Sequence, residues 1–176
     1  MHYLEKFRFC PVCGSHRFVE NDFKSKRCED CGFVYYFNAV AAVAVIITNE
    51  EGELLMCRRA CEPAKGTLDI IGGFVDPGES TTKAMVREME EETGLNIDEN
   101  QLTFLFSLPN TYLYSGLLIH SCDTFFHIEI SKDTNINPSD DVAECLWMHP
   151  DDINLDNIGL DSIREAVKKY LLSHYS

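Results

Sequence analysis

Two Cys-x-x-Cys pairs constrain this chain before anything else does. Cys10-Pro-Val-Cys13 and Cys28-Glu-Asp-Cys31 stand fourteen residues apart. A disulfide framework is one reading. It is disfavoured because Met1 to Phe9 is mixed polar and apolar, without the apolar core or small-residue cleavage site of a secretory signal. The other reading is a tetrahedral zinc site, since a two-residue gap lets both sulfurs of a turn face one ion. Gly14 and Gly32 follow the two pairs, as tight turns with positive φ require. Cys10, Cys13, Cys28 and Cys31 are thus the candidate Zn²⁺ ligands of a ribbon spanning about Cys10 to Tyr36. So short a segment builds little core, and the metal is expected to supply much of its folding energy. Cys57, Cys61, Cys122 and Cys145 have no ligand spacing and read as small buried or half-buried side chains.

The rest of the 176 residues carries a larger core. An aromatic run, Phe33 to Phe37, precedes a small and β-branched strand, Ala39 to Thr48. Asn49-Glu50-Glu51-Gly52 reads as a turn and Glu53 to Arg58 as the hairpin partner. Leu68 to Val75 reads as a strand interrupted by Gly72-Gly73. Ser80 or Thr81 caps a helix to about Thr93, and Gly94 stops it. Leu102 to Ser107, Ser115 to Ile130 and Val142 to Met148 read as further strands. Ile163, Ala166, Val167, Tyr170 and Leu171 mark one face of a second helix, Ser162 to Ser173. Many strands with two or three helices define a mixed α+β domain. The expected division is a zinc ribbon at residues 1–37 and a larger domain at residues 38–176.

Charge narrows the partners. Fifteen Lys+Arg against twenty-nine Asp+Glu give −14, which argues against a general nucleic-acid binder. A small phosphorylated substrate remains compatible if cations stand between. The longest apolar stretch, Ala39 to Ile47, is too short to span a bilayer, so no membrane partner is expected and the cytoplasm is the expected compartment.

The helix from Thr81 holds the chemistry. Near 100° per residue, Glu88, Glu91 and Glu92 share one face, with Met85 and Met89 at its flank. Like charges at these spacings repel, and they crowd the helix end that disfavours anions. A solvated acidic face is one account. A hard cation, Mg²⁺ or Mn²⁺, gathered by oxygen ligands is the other. The Gly72-Gly73 turn lets backbone approach closely, so a carbonyl can join that shell. Arg87 can hold a carboxylate by a bidentate pair.

From Gly73 to Leu95 the residues Gly73, Glu79, Arg87, Glu88, Glu91, Glu92 and Gly94, with Met89 and Leu95, match G-x5-E-x7-R-E-U-x-E-E-x-G-U. The chain resembles the Nudix hydrolases through this box, over about residues 38–176. The resemblance implies an α/β/α sandwich and divalent-cation-dependent hydrolysis of a nucleoside diphosphate linked to another moiety. It implies that Glu88 and Glu92 are metal ligands, that Glu91 is a ligand or a base, and that Gly72 is a ligand through its carbonyl. Arg87 and Glu79 are implied as the pair that braces loop and helix. Ile71 stands where many members have Pro.

A four-cysteine ribbon before such a domain is similar to the NADH pyrophosphatase branch. The match is partial. That branch carries S-Q-P-W-P-F-P-x-S, and this chain has Ser107-Leu-Pro109-Asn-Thr-Tyr112-Leu-Tyr-Ser115. Ala143-Glu144-Cys145-Leu146-Trp147 resembles the branch's E-A-R-W strand, which makes Glu144 a candidate ligand from outside the helix. Tyr112, Tyr114, Phe37 and Phe104 are candidate base-stacking platforms, the first two singled out as substrate-binding. His127 and His149 read as structural. The leading expectation is a pyrophosphohydrolase for NADH/NAD or ADP-ribose, a small-molecule nucleotide substrate, with Mg²⁺ or Mn²⁺ and structural Zn²⁺. Removal of a nucleotide cap from RNA is the alternative within the same chemistry. A non-catalytic ligand sensor is the alternative outside it, and such proteins commonly lose box residues. Dimerisation through the ribbon is left open.

Overall fold

The apolar run after residue 39 becomes the central strand of the larger unit. In the computed structural model, which describes residues 2–114 and 116–175 (without the side chains of Tyr112 and Tyr114), β4 is Val40–Thr48. Before it come β1 (Phe18–Asp22), β2 (Ser25–Cys28) and β3 (Val34–Tyr36). After it come β5 (Leu54–Arg59), β6 (Leu68–Asp69), β7 (Gly72–Phe74), α1 (Thr81–Thr93), β8 (Thr103–Tyr114), β9 (Leu117–Glu129), β10 (Val142–Met148) and α2 (Asp161–His174). Contacts divide the chain into one unit of residues 1–39 and 111–120, and another of residues 40–110 and 121–176. The tip of the β8–β9 hairpin thus belongs with the first unit, which nothing local in its sequence announces.

In the smaller unit, β1, β2 and β3 form an antiparallel sheet. Its apolar centre is Cys10, Phe18 and Cys28, with Phe7 and Phe33 against them. That is too little buried surface to hold a fold unaided.

The larger unit has a seven-stranded mixed sheet, ordered β10-β5-β4-β9-β8, with β6 on β5 and β7 on β4. β4 and β9 pair in parallel over nine positions, from Val40↔Ser121 to Thr48↔Glu129. β4 is apolar at every central position because both its faces are covered. Ala44 and Ile46 face a cluster with Phe125 and with Ile163, Ala166 and Val167 of α2. Val43, Val45 and Ile47 face the opposite cluster, with Ala84, Met85 and Met89 of α1. Helices on both faces of one sheet give the expected α/β/α layering.

Two expectations change in detail. β4 and β5 pair only at Thr48↔Leu54, next to their turn. Beyond that point β7 takes the edge of β4, and β5 pairs with β6 and β10 instead. The expected hairpin is therefore splayed. The interruption of the strand from Leu68 falls at Ile70-Ile71, and both glycines lie inside β7. Gly72 pairs so closely with β4 that a Cβ there would stand 2.8 Å from the Ala44 Cα, so the strand continues only because the side chain is missing. The strand expected to end at Ser107 runs on to Tyr114.

Helix α1 begins and ends on the expected signals. Ser80 Oγ accepts the Lys83 N–H at 3.2 Å, which satisfies one of the orphan donors of the first turn. Gly94 adopts φ 73° and donates its N–H to the Glu90 carbonyl, closing the helix as a left-handed cap. Among the described residues, no helix is long and apolar enough to cross a membrane.

Candidate active site and metal centres

The four ribbon cysteines converge. Their Sγ atoms all lie within 4.8 Å of one another, and among the described residues no other His, Cys, Asp or Glu group of three or more does so. Two knuckles present them: Gly14 N–H donates to the Cys10 carbonyl and Gly32 N–H to the Cys28 carbonyl, each at 2.9 Å. Gly14 and Gly32 have φ of 73° and 78°, which a residue with a side chain adopts only with strain. Sγ separations are 3.7 Å for Cys10–Cys31 and 3.6 Å for Cys13–Cys28. A tetrahedron with Zn–S bonds of about 2.3 Å has edges of about 3.8 Å. The donor set and its spacing fit that ion.

In the larger unit, α1 lies against β4 and β7. Its apolar stripe is fully buried at Met85 and Met89, and that burial carries Glu88 and Glu92 inward with it. Glu91 stays exposed. Arg87 collects the surrounding carboxylates. It meets Glu79 bidentately, Nε to Oε1 and Nη2 to Oε2, both at 3.0 Å. Nη1 donates to Glu88 at 2.8 Å and Glu91 at 2.9 Å, and Nη2 to the Phe74 carbonyl at 2.8 Å. Glu79 also accepts the Asp76 N–H at 3.1 Å. The loop after β7 is thereby tied to the helix at both ends of one guanidinium. Gly73 makes room for this: a Cβ there would stand 2.7 Å from Glu88 Oε2.

Glu92 lies apart from Arg87 and accepts the Gly72 N–H at 3.1 Å. Burial pushes its carboxyl up to about 8, and Glu88, Asp69 and Asp141 push the same way. Burial also raises Glu88, with Arg87 opposing. The Arg87 guanidinium holds Glu79 below the usual carboxylate range. Glu79, Glu88 and Glu91 share one guanidinium and the buried Glu92 lies beyond it, which leaves excess negative charge where burial makes an unpaired anion costly. That donor set fits a hard divalent cation, and Glu88, Glu92 and the Gly72 carbonyl are the groups that would hold it.

A narrow cleft opens beside Glu92. Gly72, Cys57, Arg58, Arg59, Asp69 and Asp141 are among the residues that line it. Asp69 is buried and paired with Arg59, and burial raises its carboxyl. Asp69 went unnoticed in the sequence, although an acid inside the apolar run Leu68 to Ile71 is the signal that could have found it. Glu144 is exposed on β10, opposite Arg58, and accepts its Nε at 2.6 Å. No contact of Glu144 with the glutamates of α1 is present among the described residues.

The other candidates separate. Phe37 stacks on Tyr3 with ring centroids 5.2 Å apart, and Phe104 is largely exposed and edge-on to Phe126. The side chains of Tyr112 and Tyr114, and Ser115 entirely, lie outside the described residues. His127 is 2.9 Å from Thr48 Oγ1 and stacks on Tyr170. His149 caps the turn at Pro150–Asp152. Both histidines have structural partners.

A sheet between two helices, with a glutamate-rich helix packed against a Gly-Gly strand, defines a hydrolase of the Nudix fold. The model of the NUDIX domain matches residues 38–170, and the chain belongs to that family. It is related to the "NAD-capped RNA hydrolase NudC" of Stutzerimonas stutzeri, at 25% identity over 173 residues, 98% of this chain and 57% of the relative. The protein of the same name from Chromobacterium violaceum is 31% identical over 107 residues, 61% of this chain and 40% of the relative. The chain thus spans about half the length of the curated relatives it matches. Its fold is similar to that of a NUDIX hydrolase from Nitrosomonas europaea (TM-score 0.68, 21% identity), covering 96% of this chain and 92% of the other.

Proposed function

We propose that this chain hydrolyses the pyrophosphate bond of a nucleoside diphosphate derivative, of NADH/NAD or ADP-ribose type, with Mg²⁺ or Mn²⁺. The observation that carries this is Glu92, buried beside Gly72 and pushed up to about 8. A carboxylate kept there, at the mouth of a cleft and away from Arg87, is unfavourable without a cation. Glu88, Glu92 and the Gly72 carbonyl hold the ion in this reading, with Glu91 and Glu144 as further ligands. A divalent ion held there would neutralise phosphoryl oxygens and lower the pKa of a bound water. Glu88 or Glu91 accepts the proton of the attacking water. Arg87 and Glu79 are positioning residues that keep the loop against the helix. Zn²⁺ in the four-cysteine cluster is structural, and residues 1–37 and 38–176 form the ribbon and the catalytic domain. Its reduced thiolate set suits a cytoplasmic setting.

The names of the relatives favour a second reading, in which the same bond is cut at the 5′ end of a capped RNA. The net charge of −14 weighs toward the small substrate. A hydrolysis screen across NADH, ADP-ribose and NAD-capped RNA, with products identified by mass, separates them. NMNH plus AMP from NADH supports the dinucleotide reading, and ribose 5-phosphate plus AMP from ADP-ribose supports that substrate instead. The Glu92→Gln protein is the blank, expected to lose about 10²–10³-fold in turnover while folding normally. Full activity of that variant, or undiminished wild-type activity in excess EDTA, overturns the assignment.

A further inference from the structure

One pair of thiols belongs to neither cluster. Cys57 on β5 and Cys145 on β10 are direct cross-strand partners, and their Sγ atoms are 3.0 Å apart. Cys57 is buried and Cys145 half-buried, on the edge strand of the sheet. The distance discriminates between two chemistries. Two thiolates on one tetrahedral zinc stand about 3.8 Å apart, and the ribbon cysteines, at 3.6 and 3.7 Å, approach that value. A disulfide bond is about 2.0 Å long. At 3.0 Å the pair is too close for a shared metal edge and about 1 Å from bonding. The backbone permits the closure. Directly opposed residues of antiparallel strands have Cα atoms about 4.5–5.5 Å apart, inside the range of about 4.4–6.8 Å that disulfides span.

We propose that Cys57 and Cys145 form a reversible disulfide, a covalent modification site in the wall of the cleft that Cys57 shares with Gly72 and Glu92. The oxidant is a small disulfide, R–S–S–R. Cys145, the more accessible thiol, gives up its proton and attacks one sulfur of R–S–S–R. A mixed disulfide forms, and R–S⁻ leaves and takes up a proton. Cys57 then loses its proton and attacks Cys145 Sγ, expelling the second R–S⁻, which is protonated in turn. The protein has lost two protons and two electrons, and the oxidant has become two R–SH. The bond joins positions 88 residues apart, a long loop whose closure restricts the unfolded chain.

The zinc-loaded full chain, equilibrated with oxidised glutathione, trapped by alkylation and digested without reductant, tests this. The expected result is a peptide linking Cys57 to Cys145, abolished by dithiothreitol, with zinc content unchanged. The Tm of the oxidised protein rises by several degrees, and that rise is absent in Cys145→Ser. Alkylation of both thiols after oxidation overturns the proposal. So do links made mainly through Cys61, Cys122 or the ribbon cysteines. The mapping is read on the wild type, so a poorly folding variant does not enter it.

Discussion

The ribbon cysteines and the helix glutamates are the two sets of side chains proposed to hold metal, and they rest on opposite foundations. The four sulfurs converge to within 4.8 Å around a centre of only a few apolar residues. The glutamates of α1 ride on a two-sided core that buries Met85 and Met89 completely, and two of them, Glu88 and Glu91, are held by Arg87. Where the core is thin, the ligands themselves are the structure. Where it is thick, ligands can be kept in an electrostatically unfavourable arrangement because packing elsewhere sustains it.

The sharpest way to break this contrast is at Cys28. Structural zinc, if the four sulfurs hold it as proposed, would supply about 10–16 kcal/mol of folding free energy to so small a unit. Cys28→Ser is expected to lose the metal, read by elemental analysis, and to unfold the β1–β3 sheet. Helical circular dichroism, which comes from α1 and α2, is expected to persist. Retention of zinc with an intact sheet would break the comparison.

The carboxylate side is sharpened by pH. Burial raises the Glu92 carboxyl from 4.5 to about 8 in the metal-free fold. The folded protein then keeps a proton that the unfolded chain releases above about pH 4.5. Stability from this group is therefore complete below pH 4.5 and drains away as pH rises toward 8. Each unit is worth at most about 1.4 kcal/mol. In EDTA, Glu92→Gln is expected to raise the Tm at pH 8 and leave it unchanged at pH 4. Saturating Mn²⁺ is expected to stabilise the wild type at pH 8 more than the variant. A metal-free variant no more stable than wild type at pH 8 would show that Glu92 is not held at a loss.

The smallest expected effect belongs to the helix terminus. Ser80→Ala removes the acceptor for the Lys83 N–H and is expected to lower stability by about 1 kcal/mol. Denaturant unfolding measures it. The zinc content is expected to stay as it was, since the cap belongs to the larger unit.

Local chemistry was readable in advance and long-range pairing was not. Helix α1, its Ser80 cap and Gly94 stop, and the convergence of the four cysteines follow from short spacings, where physics acts within a few residues. The splayed β4–β5 hairpin depends on β7, which arrives some twenty residues later and takes the edge of β4. The partnership of Cys57 with Cys145 spans 88 positions, and neither neighbourhood hints at the other. The hairpin tip at residues 111–120 groups with the N-terminal residues for reasons its own sequence does not express. Within the site, the order of glutamates was legible, but the burial that lifts Glu92 and the presence of Asp69 in the same cleft required the fold.

The parallel pairing of β4 with β9 has a consequence for synthesis. Val40 meets Ser121 and Thr48 meets Glu129, so the middle of the sheet cannot zip while the ribosome is still adding residues before 121. A nascent chain that ends just before Ser121 already holds all four ribbon cysteines and the whole of α1, yet its most apolar strand lacks a neighbour on that side. Contacts of such long sequence separation form slowly. For that interval the emerging polypeptide presents a bare row of valines and isoleucines to the cell, and chaperone occupancy is expected to peak there.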